Sequence, residues 1–225
     1  MSLLLEIAVH APRDVPGAQE GGADRLLLRT PAALAPDLTE ASAVLREADV
    51  PVRVMLRLNE SWTTTGGEFR RLVGLAEEYV ALGAEGVAFG FLDADLEVDV
   101  HTCITLAEEL SGIPWTFHEA IDACLDPRRS WRRVIGLPGL DAVFSSGSPL
   151  GLGHGYEDLL AQAQASPESA ALMLPGHGLV PEQVPWLARA GVTQFHVGSQ
   201  ARPGGSPKAY VDAGHVRSWR MLLDS

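Results

Sequence analysis

The chain is expected to fold as an α/β protein, a (β/α)8 barrel of the TIM type, and three observations predict it. Strand-like and helix-like segments alternate in strict order, eight of each, which implies a parallel sheet. The units repeat at roughly 28 residues, which suits a closed eight-unit barrel better than an open doubly wound sheet. No linker or shift of composition interrupts the 225 residues, so residues 1–225 are expected to form a single domain.

The first strand is expected at Leu3–Val9, followed by a helix over Pro12–Gly22 that ends in a Gly-Gly stop. Asp24–Arg29 reads as the second strand. The Pro-rich Thr30–Asp37 leads to a helix capped by Thr39 and running to about Ala48, and Pro51 introduces a third strand, Val52–Arg57. Turn residues fill Asn59–Gly67. Glu68–Leu82 has helical periodicity and stops at Gly83, before a fourth strand at Gly86–Gly90. The alternation continues through helix Val100–Leu110, strand Pro114–Glu119, helix Pro127–Ile135, strand Asp141–Phe144, a Gly-rich loop Ser146–Gly155 and helix Tyr156–Ala165. Strand Ala171–Leu174, loop Pro175–Gly178, helix Pro181–Ala190, strand Val192–Val197 and a last helix from about Lys208 to Leu223 complete the order. Three helix-to-strand turns, Gly22-Ala23-Asp24, Gly83-Ala84-Glu85-Gly86 and Ala190-Gly191-Val192, place a helix-ending glycine on the face opposite the site.

With 46% hydrophobic residues the chain can bury a sizeable core. A net charge of −12 without any Lys/Arg run argues against nucleic acid or an anionic membrane as partner. Glu6 interrupts Leu3-Leu4-Leu5 and no basic region precedes it, so a signal peptide is not expected, nor is a membrane span of the required ~18 apolar residues. With only two cysteines a disulfide framework is not expected, and a reducing, cytoplasmic setting is the default expectation.

Side chains alternate along each strand, one set meeting the helices and the other filling the ring. Leu5, Ile7 and Val9 share one parity, which leaves Glu6 and His10 inside; by the same test Arg57, His118, Gln194 and His196 point inward. Interior charge is costly unless paired, so Glu6 and Arg57 are expected to bond to each other or to a ligand. Pro114–Asp122 delivers His118, Glu119 and Asp122 at one strand end, and open and barrel α/β folds keep their chemistry at such ends. The candidate catalytic set is therefore Glu6, Arg57, His118, Asp122 and His196. In it His118 or His196 serves as general acid or base and Asp122 orients a histidine, acting on a small carbonyl or phosphorylated compound. Gly176, Gly178, Gly198 and Ser199, after the seventh and eighth strands, could cradle an anion, since glycine lets backbone N–H groups approach it; ordinary turn chemistry is the competing reading. Cys103 and Cys124, with Met55 or His118 nearby, would suit Cu(I); the competing reading is two half-buried thiols acting as small apolar groups.

Several blocks together resemble the CutC copper homeostasis family: Leu5-Glu6-Ile7, Gly21-Gly22-Ala23-Asp24-Arg25, Val54-Met55-Leu56-Arg57, Gly86–Leu92 with Glu97-Val98-Asp99, Thr116–Cys124, Ser145-Ser146-Gly147 and Phe195-His196. The likeness runs in order from about residue 5 to 199. It implies a (β/α)8 barrel, a cytoplasmic location, self-association into a homo-oligomer and a link to copper. The implied partner is a metal ion or small molecule bound at the carboxyl ends of the strands. This chain departs from the family pattern where Glu119 and Asn59 replace arginines, where Glu60-Ser61-Trp62 replaces a Gly-Gly-Asp-Phe run, and in a short Gly198–Pro207 segment. Losing two arginines from the mouth removes positive charge, so an anionic ligand bound by typical members is not expected to suit this one, and the substrate or metal preference is expected to differ.

Overall fold

The computed structural model describes residues 3–110 and 112–225. Its centre is one sheet of eight parallel strands: β1 (Leu4–Val9), β2 (Arg25–Leu28), β3 (Val52–Met55), β4 (Gly86–Phe89), β5 (Trp115–Phe117), β6 (Leu140–Ser145), β7 (Met173–Pro175) and β8 (Gln194–Val197). They run in the order β7-β6-β5-β4-β3-β2-β1-β8, so each strand lies beside its neighbours in sequence and β1 pairs with both β2 and β8. The result is a nearly closed (β/α)8 barrel. Among the described residues no hydrogen-bonded ladder joins β7 to β8. The Gln194 side chain stitches that seam, its Nε2 donating to Asp141 O at 3.1 Å and to Leu172 O at 3.4 Å.

Around the ring lie α1 (Val15–Glu20), α2 (Leu38–Glu47), α3 (Gly66–Ala81), α4 (Val100–Glu109), α5 (Pro127–Val134), α6 (Leu152–Ala165), α7 (Pro167–Leu172), α8 (Val184–Arg189) and α9 (Ala213–Leu223). Most begin at a side chain able to accept from an otherwise unpaired N–H. Thr65 and Glu68 form a reciprocal capping box on α3, and Asp99, Asp126, Ser166 and Asp212 cap α4, α5, α7 and α9. Gly22, Gly83 and Gly191 end helices at φ of 93°, 104° and 99°, a left-handed region that glycine enters without a Cβ penalty.

Strand parity divides the molecule into two cores. Leu5, Ile7, Val9, Val54, Trp115 and Phe117 belong to the large apolar shell between sheet and helices, where Trp115 stacks on Phe89 at 4.1 Å. Inside the ring the apolar content is small: Leu27, Met55 and Ala88 in one group, Ala142, Phe144 and Leu174 in another. Ala8 adds a further buried methyl, and the remaining inward side chains, Glu6, Arg25, Arg53, Thr116, Gln194 and His196, are polar.

Several boundaries differ from the sequence expectations for identifiable reasons. α2 starts two residues early because Asp37, not Thr39, is its cap, with Oδ1 accepting from Glu40 N at 2.8 Å. The first expected helix divides into a 3-10 turn over Pro12–Asp14 and α1. α6 begins at Leu152, so the last four residues of the expected Gly-rich loop are helix; its Gly155 is a contact residue, not a breaker, since a Cβ there would lie 2.2 Å from Ser146 O. An additional helix, α7, precedes β7 because Ser166 and Pro167 supply a fresh helix start. The last helix begins at Ala213, behind the Asp212 cap, and not at Lys208.

Candidate functional site

The polar interior has two levels. In the lower one, the Glu6 carboxylate on β1 is level in register with Arg25 on β2 and His196 on β8. Arg25 Nε donates to Glu6 Oε2 at 2.6 Å and His196 Nδ1 lies 2.8 Å from Glu6 Oε1, with all three side chains almost completely buried. Burial on its own raises the Glu6 pKa. The Arg25 charge, then the hydrogen bond and charge of His196, then Arg53, outweigh it and bring the pKa down to about 2. Arg53 anchors the opposite side, its two Nη atoms each 2.6 Å from an Asp141 oxygen and Nη1 2.7 Å from Thr116 Oγ1. The expected Glu6–Arg57 pair does not form: Arg57 lies beyond the end of β3, above the level of Glu6.

The upper level is the mouth, built from residues just past the strands. His10 follows β1 and hydrogen-bonds Arg29 O through Nδ1 at 2.9 Å. Arg29 follows β2. Its Nε is buried without a hydrogen-bond partner among the described residues, and it forms no ion pair among them. Arg57 lies over the Trp62 ring at 3.9 Å, donates to Glu60 O, and also keeps a buried, unpartnered Nε and no ion pair among the described residues. Burial lowers the pKa of both guanidiniums while the Glu119 charge opposes that effect. Glu119 itself, raised by burial but lowered further by a hydrogen bond from His177 and by the charges of His118, His177 and Arg29, comes down to about 2. His177, 3.5 Å from Glu119, is shifted upward chiefly by that bond.

His118 is buried beside Trp62, ring centroids 5.4 Å apart, and burial followed by the Arg57 charge lowers its pKa to about 4. The ring is therefore neutral at pH 7. Ala120 N–H donates to its Nδ1 at 3.1 Å, which leaves the ring proton on Nε2 and makes His118 a hydrogen-bond donor there. Asp122 does not orient a histidine as expected: its oxygens accept from Ser145 Oγ, from Ser146 N at 2.7 Å and Oγ at 2.9 Å, and from Gly147 N at 3.1 Å. That nest ties the β6 loop to the 3-10 turn Glu119–Ala123. Gly176 and Gly198 both border the His196 ring, whereas Gly178 faces Leu152. Ser199 opens a short 3-10 turn next to Gly198.

Cys103 and Cys124 are both buried in the outer apolar shell, and burial pushes the Cys103 thiol up to about 12 and raises that of Cys124. Met55 lies on the other side of the sheet, in the inner cluster. Among the described residues no three His, Cys, Asp or Glu side chains are grouped so as to hold a metal ion. This donor set does not fit a Cu(I) site, because thiolate formation is disfavoured and the soft donors do not converge. A groove of about 760 Å³ opens between α5 and α6, lined by Leu125, Trp131 and Leu159 among others, but none of the inward imidazoles or guanidiniums reaches it.

Arg25, Arg29 and Arg53 escaped sequence reasoning although the alternation that exposed Glu6 applies to them. Leu26 and Leu28 face out, so Arg25 and Arg29 face in, and Arg53 shares the parity of Met55. His177 carried no such signal, since it lies in a loop at φ 55°.

Fold and side chains together define a (β/α)8 barrel whose charged and imidazole groups collect inside the ring and at the carboxyl ends of its strands. The chain belongs to the CutC family, whose sequence model matches residues 3–201. A family protein CutC from Xanthomonas campestris pv. campestris (strain B100) is 30% identical, over 98% of this chain and 99% of its own length. The copper homeostasis protein cutC homolog of Homo sapiens is 26% identical, covering 88% of this chain and 74% of its own. A crystal structure of CutC from Streptococcus agalactiae superposes with a TM-score of 0.75 at 20% identity, over 87% of this chain and 98% of that one.

Proposed function

We propose that this CutC-family protein binds a small anionic molecule at the carboxyl ends of its strands, as a cytoplasmic component of copper homeostasis. One observation carries the proposal. Arg29 and Arg57, past adjacent strands, are two guanidiniums without an ion-pair partner among the described residues, each with a buried Nε that bonds to nothing there. A buried donor left unsatisfied costs about 1–3 kcal/mol, so two of them at one opening suit a ligand that supplies the missing acceptors. A carboxylate or phosphate does so bidentately. His118, held as a neutral N–H donor beside Arg57, adds a further contact for a ligand oxygen.

The copper role rests on family membership and on the printed name of the human relative. Because the cysteines do not fit a copper site, the link to copper runs through the anionic ligand and not through a bound ion. Calorimetric titration with malonate and inorganic phosphate tests the anion site. The native chain should bind at least one of them, and Arg29→Gln and Arg57→Gln should each weaken binding roughly 10- to 100-fold, as expected for loss of a charged hydrogen bond, while circular dichroism shows both variants folded. Absence of binding, or equal binding by native and variant chains, would overturn it.

A further inference from the structure

Building on that anion site, we infer that the mouth is catalytic: His196, positioned by Glu6, removes a proton from the carbon next to the carbonyl of a short 2-oxo acid held by Arg29. The geometry begins with the Glu6–His196 bond of 2.8 Å. Arg25 holds the other Glu6 oxygen at 2.6 Å, so the carboxylate stays ionised and accepts the Nδ1–H of His196. With Nδ1 taken up by Glu6, Nε2 is the ring nitrogen left to face a substrate and to act as the base. Phe144 packs against the ring at 4.6 Å between centroids, and a Cβ at Gly176 would meet His196 Cβ and Cδ2 at 3.0 Å, so the ring is held from several sides.

Gly198 shows where the lone pair leads. The point at which a side chain there would begin is 3.8 Å from His196 Nε2, 4.0 Å from Arg29 Nη2 and 4.0 Å from Ala8 Cβ. A base, a guanidinium and a methyl floor therefore surround one position that glycine leaves open. In a 2-oxo acid one carboxylate oxygen and the ketone oxygen lie side by side and match the two donors of a guanidinium fork. Bound so on Arg29, the acid presents its C3 hydrogens towards His196.

The step balances without a co-reactant. The C3–H bond breaks and its proton passes to Nε2. The bonding pair forms the C2=C3 double bond while the carbonyl π pair moves onto the ketone oxygen, giving an enolate that the Arg29 charge stabilises. The imidazolium then returns a proton to C3, or a deuteron when the solvent is D2O. An imine route is excluded at this position, since the only lysine, Lys208, is exposed on the surface.

The test is the exchange of pyruvate methyl hydrogens in D2O, followed by proton NMR with the native chain, alongside calorimetric binding of pyruvate. His196→Asn keeps a donor towards Glu6 but has no base. Exchange by the native chain should exceed buffer at least tenfold, and His196→Asn should lower it about 100-fold or more, the range of general-base catalysis, while binding changes less than threefold. Pyruvate bound without exchange above buffer, or undiminished exchange by His196→Asn, overturns the catalytic inference and leaves the anion site standing. Failure of pyruvate, malonate and phosphate alike to bind removes both.

Discussion

A carboxylate buried as deeply as Glu6 stays ionised only because Arg25 and His196 each hold one of its oxygens. The consequence for acid stability has a definite sign. The folded pKa, about 2, lies below the ordinary 4.5, so between those values the unfolded chain binds the proton and the folded chain does not. The stabilisation is complete above about pH 4.5 and is lost as pH falls towards 2. It amounts to about 3 kcal/mol at one unit per 1.36 kcal/mol. Urea unfolding at pH 5, 4 and 3 should show native stability falling more steeply than that of Glu6→Gln; parallel slopes would refute the assignment. The same residue marks what parity can and cannot reveal. Alternation tells which face a side chain takes, and it placed Glu6 and His196 inside correctly. Height along the barrel follows from register, Glu6 against Arg25 and His196, and no single strand carries that information, hence the mistaken pairing with Arg57.

At the scale of elements, α6 separates two glycines that look equivalent in sequence. Gly153 has open space where a Cβ would stand, whereas a Cβ on Gly155 would lie 2.2 Å from Ser146 O, 2.3 Å from Gly147 C and 2.5 Å from Ser148 N. The helix thus packs its backbone directly on the β6 loop, the same loop that Asp122 holds through Ser146 and Gly147. Gly153→Ala should stabilise by about 0.5–1 kcal/mol through helix propensity, and Gly155→Ala should destabilise by about 1–3 kcal/mol through overpacking. Thermal melts of the two variants decide the point, since changes of the same sign would contradict the contact. The eight strands and most helices were legible because hydrophobic period and capping residues are local; α7 was not, and it takes up Ala171 and Leu172, which the pattern assigned to the seventh strand. The start of α6 was not legible either, because a glycine demanded by a neighbouring loop and a glycine that breaks a helix are written with the same letter.

Across the whole molecule, the ring is joined by seven laddered strand pairs and one seam. At the seam Gln194 substitutes a side chain for a ladder: Nε2 donates to Asp141 O and Leu172 O, while Oε1 accepts from Arg25 Nη2 at 3.3 Å. One residue therefore ties β8 to β6, to the approach to β7, and to the Arg25–Glu6–His196 chain. Closure and the candidate site share a fastening, which gives an amide in the barrel interior a reason to stand where a packed core would use an aliphatic residue. Gln194→Leu keeps the bulk but leaves carbonyls at the seam unpaired, at a cost of about 1–3 kcal/mol. The loss should be local before it is global. Hydrogen exchange should accelerate for amides of β7 and β8, where opening needs no ladder to break on the shared side, and remain near native for β3 and β4 on the far side of the ring. Uniform acceleration over all eight strands, or none at the seam, would mean that the outer helices and not Gln194 keep the barrel shut.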